Sequence, residues 1–105
     1  NLIIPDNVTF IGSEAFYGCS RFTSLTLGTG ITTISSGCFY RCLGFSGNLI
    51  IPDQVTNIEK EAFCYCTGFN GYLTIGNGVK EIGELAFANG FNRFYAKPLL
   101  FTKVY

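Results

Sequence analysis

The chain contains no histidine. It lacks the side chain that most often serves as a general base and as a nitrogen ligand for metals. Charge is scarce too. Charged residues make up 13% of the 105 positions, and seven Lys plus Arg balance seven Asp plus Glu. Net neutrality gives no electrostatic reason to expect a nucleic-acid or acidic-lipid partner. No apolar run approaches the roughly 18–20 residues of a membrane-spanning helix. The charged, apolar and small-residue order of a signal peptide is not seen at the start. Methionine is absent and the chain opens Asn1-Leu2-Ile3. It reads as a processed chain or an excised piece of something longer, with no compartment encoded in it.

What is present is apolar. Hydrophobic residues make up 48% of the chain, too many for disorder and enough for one domain with a substantial core. These residues recur in phase. Asn1 to Asp6 reads NLIIPD, and so does Asn48 to Asp53. Val8, Ile11, Ala15, Phe16, Cys19 and Phe22 then match Val55, Ile58, Ala62, Phe63, Cys66 and Phe69. A second copy lies between them, with Leu25, Leu27, Ile31, Ile34, Cys38, Phe39, Cys42 and Phe45, and a fourth follows, with Leu73, Ile75, Val79, Ile82, Ala86, Phe87 and Phe91. The first apolar position recurs at Leu2, Leu25, Leu49 and Leu73, in steps of 23, 24 and 24 residues. Eight of the eleven Phe fall in two columns of this pattern. One such unit cannot bury its apolar side alone, so the units must stack and make each column a continuous core.

The order inside a unit predicts its local structure. Leu-x-Leu/Ile alternates with period two and predicts a short strand. Pro5, Gly28, Pro52 and Gly76 end it at the same place in each copy. Val-x-x-Ile continues in an extended or turn-like path, with a second short strand as an alternative. Ala-Phe-x-x-Cys has helical spacing but is too short for a stable helix, so a single 3₁₀-like or α turn is expected. Copies one and three carry LIIPD, whereas two and four carry LTLGTG and LTIGNG. Ser46-Gly47-Asn48 and Asn70-Gly71-Tyr72 each add one residue relative to Thr23-Ser24 and predict bulges or turns ahead of the strand. The expected fold is a repeat solenoid, mostly β, with one short parallel strand per rung in a single sheet containing Leu25–Leu27, Leu49–Ile51 and Leu73–Ile75 and bounded by Leu2–Ile4. Four repeats occupy 1–24, 25–47, 48–71 and 72–97, and 98–105 is a tail or partial cap. Phe94-Tyr95-Ala96 is expected to form a fifth strand, and Leu99, Leu100 and Phe101 to fold over the last rung.

The segments Ile4–Cys19 and Ile51–Cys66 carry I-P-D-x-V-T-x-I-x-x-x-A-F-x-x-C and lack the Asn of the standard leucine-rich repeat. This motif resembles the BspA-type leucine-rich repeats, over residues 1 to about 97. The resemblance implies a right-handed arc, an extracellular or cell-surface location, and adhesion or binding of host or matrix proteins. It implies neither an enzyme nor a cofactor. Copy four departs from the pattern, with Gly90 where Cys is expected.

Each reactive group has a plain structural reading. Cys19, Cys42 and Cys66 share one column and are expected to be buried, stacked and reduced. In-register stacking holds their Cβ atoms about 4.8 Å apart, more than the roughly 3.8 Å a disulfide needs. Cys38 takes the place of Ala15, Ala62 and Ala86 and is also core. Cys64-Tyr65-Cys66 is the one close pair and lacks the partners a zinc site requires. Cys64 aligns with Tyr17, Tyr40 and Ala88, at a position that need not be buried. Glu59, Glu61, Glu81 and Glu84 read as a solvated face.

Two functions compete: a binding or adhesion module for a protein or peptide, and a structural spacer with no ligand of its own. The residue between the two inward Leu or Ile of each strand must point out. That places Ile3, Thr26, Ile50, Thr74 and Tyr95 in one row along the concave sheet, with Tyr72 on its rim. The open edge of copy one is expected to self-associate or to pair with a preceding repeat.

Overall fold

The computed structural model describes residues 1–90. The expected Phe94–Ala96 strand, the cap and the place of Tyr95 lie outside the described residues. Seven strands run in order: β1 (Leu2–Ile4), β2 (Leu25–Leu27), β3 (Thr33–Ile34), β4 (Gly47–Ile51), β5 (Asn57–Ile58), β6 (Phe69–Ile75) and β7 (Glu81–Ile82). All pairings are parallel, and the described residues contain no helix. The registers follow the repeat. Leu2 faces Leu25, and Leu49 faces Leu73. Each unit read from the sequence is therefore one rung, laid on the next.

The expectation of one strand per rung is corrected in rungs two to four. The Val-x-x-Ile segment makes a second strand there, and β3, β5 and β7 form a three-stranded sheet. Alternation drives it: Ile34, Ile58 and Ile82 are buried, while their neighbours Thr33, Asn57 and Glu81 face outward.

The first strand column is also not one sheet. β1 pairs with β2 and β4 with β6, and no ladder joins β2 to β4. The break coincides with the residue inserted at the start of β4, where Gly47 takes a left-handed φ of 76° and the β4–β6 register shifts. The bulge predicted there is present. The alternation of LIIPD with LT-x-G-x-G is the reason for pairing within each two-rung unit. The backbone of Gly28 lies so close to Ile4 and Pro5 that a Cβ would stand 2.4 Å from the Ile4 carbonyl oxygen. Gly76 meets Pro52 in the same way, with 2.6 Å to its carbonyl carbon. Asp6 Oδ1 accepts the Thr29 N–H at 2.9 Å, and Asp53 Oδ1 accepts that of Asn77 at 2.9 Å. Between units a side chain substitutes for the ladder. Gln54 Nε2 donates to the carbonyls of Gly28 (2.8 Å) and Ile31 (3.2 Å).

The Ala-Phe-x-x-Cys segment is not the single 3₁₀ or α turn expected. Its amides alternate in direction. In rung one, Ala15, Tyr17 and Cys19 donate back within the rung to Gly12, Glu14 and Phe16. Glu14, Phe16 and Gly18 donate instead to Ser36, Cys38 and Tyr40 of the next rung. A helix would direct every amide along its own axis, whereas here every second one is free to join rungs. Left-handed residues make this possible. Glu14, Gly37, Glu61 and Leu85 share one positive-φ column, and Gly18, Arg41, Tyr65 and Asn89 share another. The same three bonds recur from rung two to three and from three to four, at 2.8–3.0 Å.

The core runs along the stack behind this turn column. Phe16, Phe39, Phe63 and Phe87 stack nearly parallel, with centroids 5.5, 5.1 and 5.5 Å apart. Phe45 and Phe69 make a second stack at 5.5 Å. Leu49, Ile51, Val55, Ile58 and Leu73 fill the space between.

Candidate functional site

The outward row of the first strand column is built by period-two alternation. Ile4, Leu27, Ile51 and Ile75 turn inward and are buried. Their neighbours Ile3 and Ile50 turn out, each 61% exposed. Thr26 is exposed and Thr74 half-buried. Ile3 stands in register with Thr26, and Ile50 with Thr74. Tyr72 is not ahead of its strand, as expected, but inside β6. It shares the face of Thr74 two residues on and is 59% exposed. Its backbone N–H donates to Asn48 Oδ1 at 2.7 Å, while Asn70 Oδ1 accepts the Gly47 N–H at 2.8 Å. This pair of Asn side chains fixes the bulge that carries Tyr72. A cleft of about 180 Å³ opens at the break between β2 and β4, lined by Leu25, Thr26, Leu27, Asn48, Ile50 and Pro52. No charged residue occurs in β1, β2, β4 or β6.

Charge collects elsewhere. Glu59, Glu81 and Glu84 are exposed, Glu61 is half-buried, and with Lys60 they border the grooves beside the second strands and turns. Among the described residues no group of three His, Cys, Asp or Glu is placed to hold a metal ion.

The turn edge carries a cluster that sequence reasoning missed. Tyr17 and Tyr40 stack at 5.0 Å, Tyr65 meets Tyr40 edge-on at 5.8 Å, and the Arg41 guanidinium lies 5.9 Å from the Tyr65 ring centre. Tyr17 and Tyr40 share a column, which is a usable signal. It fades because Cys64 and Ala88 fill that column in later rungs, while Tyr65 sits one place on. Cys64 itself is buried, at a position whose alignment did not require burial. Tyr40, half-buried on the preceding rung, lies beside it. Burial, then the nearby Glu61, hold the Cys64 thiol above its ordinary pKa.

All five cysteines are free. Cys42 and Cys66 are buried, while Cys19 on rung one is only half-buried. The column is more than apolar filling. Cys42 Sγ–H donates to the Phe16 carbonyl and Cys66 Sγ–H to that of Phe39, both at 3.0 Å. Each thiol thus reaches back to the preceding turn. Burial pushes Cys38 and Cys66 up to about 12 and Cys42 to about 11. At neutral pH these three are protonated thiols, not thiolate nucleophiles.

Comparison with known families agrees with the repeat. A family model described as a BspA type leucine rich repeat region (6 copies) matches residues 1–94. The chain belongs to the BspA-type leucine-rich repeats. No curated protein and no solved structure gave a match. No helix among the described residues is long and apolar enough to cross a membrane.

Proposed function

We propose that this chain is a protein-binding module whose rungs form a right-handed, arc-shaped solenoid, displayed outside the cell or at its surface. Its contact face is the concave first strand column, with Ile3, Thr26, Ile50 and Thr74 along it and Tyr72 beside them. The observation that carries this reading is a pair of isoleucines, each 61% exposed, on strands without a charged residue. Apolar side chains left in water on an uncharged face mark interaction surfaces. Membership of a leucine-rich repeat family supports the same reading, because stacked repeats give extended surfaces rather than deep pockets. The module is not an enzyme in this reading, and it takes no cofactor.

The test is direct. A partner is first isolated with the full-length protein and purified. Its affinity is then measured for Ile50→Asp and Thr74→Asp. Both changes are expected to weaken binding by about tenfold or more without loss of fold. Unchanged affinity in folded variants would remove the strand face from consideration.

The spacer reading has one observation in its favour. Three turn-column hydrogen bonds cross every junction of the four rungs, which makes a stiff rod. It expects that deleting one two-rung unit from the full-length protein shortens its reach and leaves partner affinity intact.

A further inference from the structure

The junctions between rungs are bonded differently on the strand side. Inside each two-rung unit the joint is double. β1 pairs with β2 and β4 with β6, and Asp6 and Asp53 each accept a backbone N–H of the next rung. Gly76 closes the end of the second ladder, its N–H donating to the Ile51 carbonyl at 2.8 Å. Neither bond forms between the units. The residue at the place of Gly76 on rung three is Pro52, which has no N–H to offer Leu27 of rung two. Thr29, not an aspartate, stands on rung two where Asp6 and Asp53 stand. No ladder joins β2 to β4, and the cleft of about 180 Å³ opens there instead. Two tethers bound the gap. At its head the Ser46 N–H donates to the Thr23 carbonyl at 2.9 Å. At its tail Gln54 Nε2 spans to the carbonyls of Gly28 and Ile31.

We propose that this junction is a hinge and that Gln54 is its latch. The two-rung units swing apart on the strand side and pivot on the opposite side of the rung. The pivot is fully bonded. β3 pairs with β5 across the same junction, and the N–H groups of Gly37, Phe39 and Arg41 donate to Lys60, Ala62 and Cys64 at 2.8–3.0 Å. Phe39 stacks on Phe63 behind them at 5.1 Å. These contacts keep the rungs from separating but leave the angle between the units to the strand side. Opening that side breaks the side-chain bonds of Gln54 and the bond at exposed Ser46. It breaks no ladder and hollows no core. Water entering the gap satisfies the freed amide and carbonyls, so little free energy separates the closed and open forms. Pro52 is what keeps the hinge from setting as a sheet, because its ring nitrogen cannot complete the bonding at the strand end. The arc therefore changes curvature between units while each unit stays rigid, the division of labour found in hinged proteins, where a few residues absorb the motion. The hinge follows from the bonding of the rungs and is independent of which face a partner takes.

The experiment uses the whole chain, isotope-labelled for nuclear magnetic resonance, and two variants that act in opposite directions. Gln54→Leu keeps the bulk of the side chain and removes both latch bonds. Pro52→Ala supplies the missing N–H opposite Leu27. Relaxation dispersion of the unaltered chain should find microsecond-to-millisecond exchange at Leu27, Ile50 and the Gln54 side-chain amide, and none at Phe39 or Phe63. Gln54→Leu should speed hydrogen exchange of the Leu27 and Ile50 amides by about tenfold, and Pro52→Ala should slow it by a similar factor, with the turn amides unchanged in both. An unaltered chain without exchange at the junction overturns the hinge. So does Gln54→Leu if it speeds strands and turns alike, which would make Gln54 a support of the whole fold, or if it changes neither. These two arms decide the matter even if Pro52→Ala does not fold.

Discussion

The turn column and the first strand column run along the same rungs, yet they are built in opposite ways. The turn column is continuous. Three backbone bonds cross each junction, four Phe rings stack behind it, and buried thiols bond to the carbonyls of the rung before. The strand column is divided into two pairs with a cleft between them. The difference teaches where stability and display reside. In most β-sheet proteins the strand ladder is both frame and surface. Here the turns join all four rungs, so the strands can break register and leave isoleucine in water.

The largest way to break this comparison is to hollow the turn column. Phe63 is fully buried between Phe39 and Phe87. Phe63→Ala is expected to cost about 3–5 kcal/mol, whereas Ile50→Thr on the strand face should stay within about 0.5 kcal/mol. Urea midpoints of the two variants decide it, and similar losses would mean that the columns share the load.

Alkaline pH should weaken the same column more gently. Folding raises Cys38, Cys42 and Cys66 from an ordinary 9.0 to about 12, 11 and 12. Between pH 9 and 11 the unfolded chain loses these protons while the folded chain keeps them. The unfolded state then binds fewer protons, so stability falls as pH rises and is fully present below about pH 9. The slope is up to about 1.4 kcal/mol per pH unit for each thiol. Urea midpoints at pH 8, 9 and 10 should decline, and replacing Cys42 and Cys66 by Ala should flatten the decline. A midpoint that holds steady above pH 9 contradicts the burial argument.

Within the strand column, Gly28→Ala drives a methyl into the Ile4 carbonyl and should cost about 1–3 kcal/mol. At Gly18 an added methyl would meet nothing within 4 Å, but the backbone there sits at φ 69°. Gly18→Ala should therefore cost only the left-handed penalty, about 1 kcal/mol. Equal losses would remove the case for a pinched two-rung unit. The smallest effect is a gain. Leu85 is 46% exposed at φ 61°. Leu85→Gly should relieve left-handed strain and raise stability by at most about 1 kcal/mol. A loss would show that the Leu85 side chain packs more than its exposure implies.

Much of this is legible in the sequence because the columns are written as residue types. Leu2, Leu25, Leu49 and Leu73 announce the rungs, and period-two alternation announces that Ile3 and Ile50 turn out. The NLIIPD repeat even announces the alternation of rungs. Its consequence is hidden, because a pattern along the chain does not state how close two backbones come. The approach of Gly28 to Pro5, and of Gly76 to Pro52, shows that odd and even rungs pair. The turn defeats sequence reasoning for a related reason. Ala-Phe-x-x-Cys has helical spacing, but Glu61, Tyr65 and Leu85 adopt left-handed backbone that their residue types disfavour. The bonds to the next rung enforce it. The Tyr17–Tyr40 stack is visible as a shared column, but Cys64 and Ala88 interrupt it and hide the cluster.

Native-state hydrogen exchange, residue by residue, tests the division of labour most directly. The amides of Phe39 and Phe63, which donate across rungs at 2.8 Å, should exchange most slowly, at the rate of global unfolding. Those of β2 and β4 beside the break should exchange faster. Slower exchange in β2 and β4 than in the turn column would contradict the account.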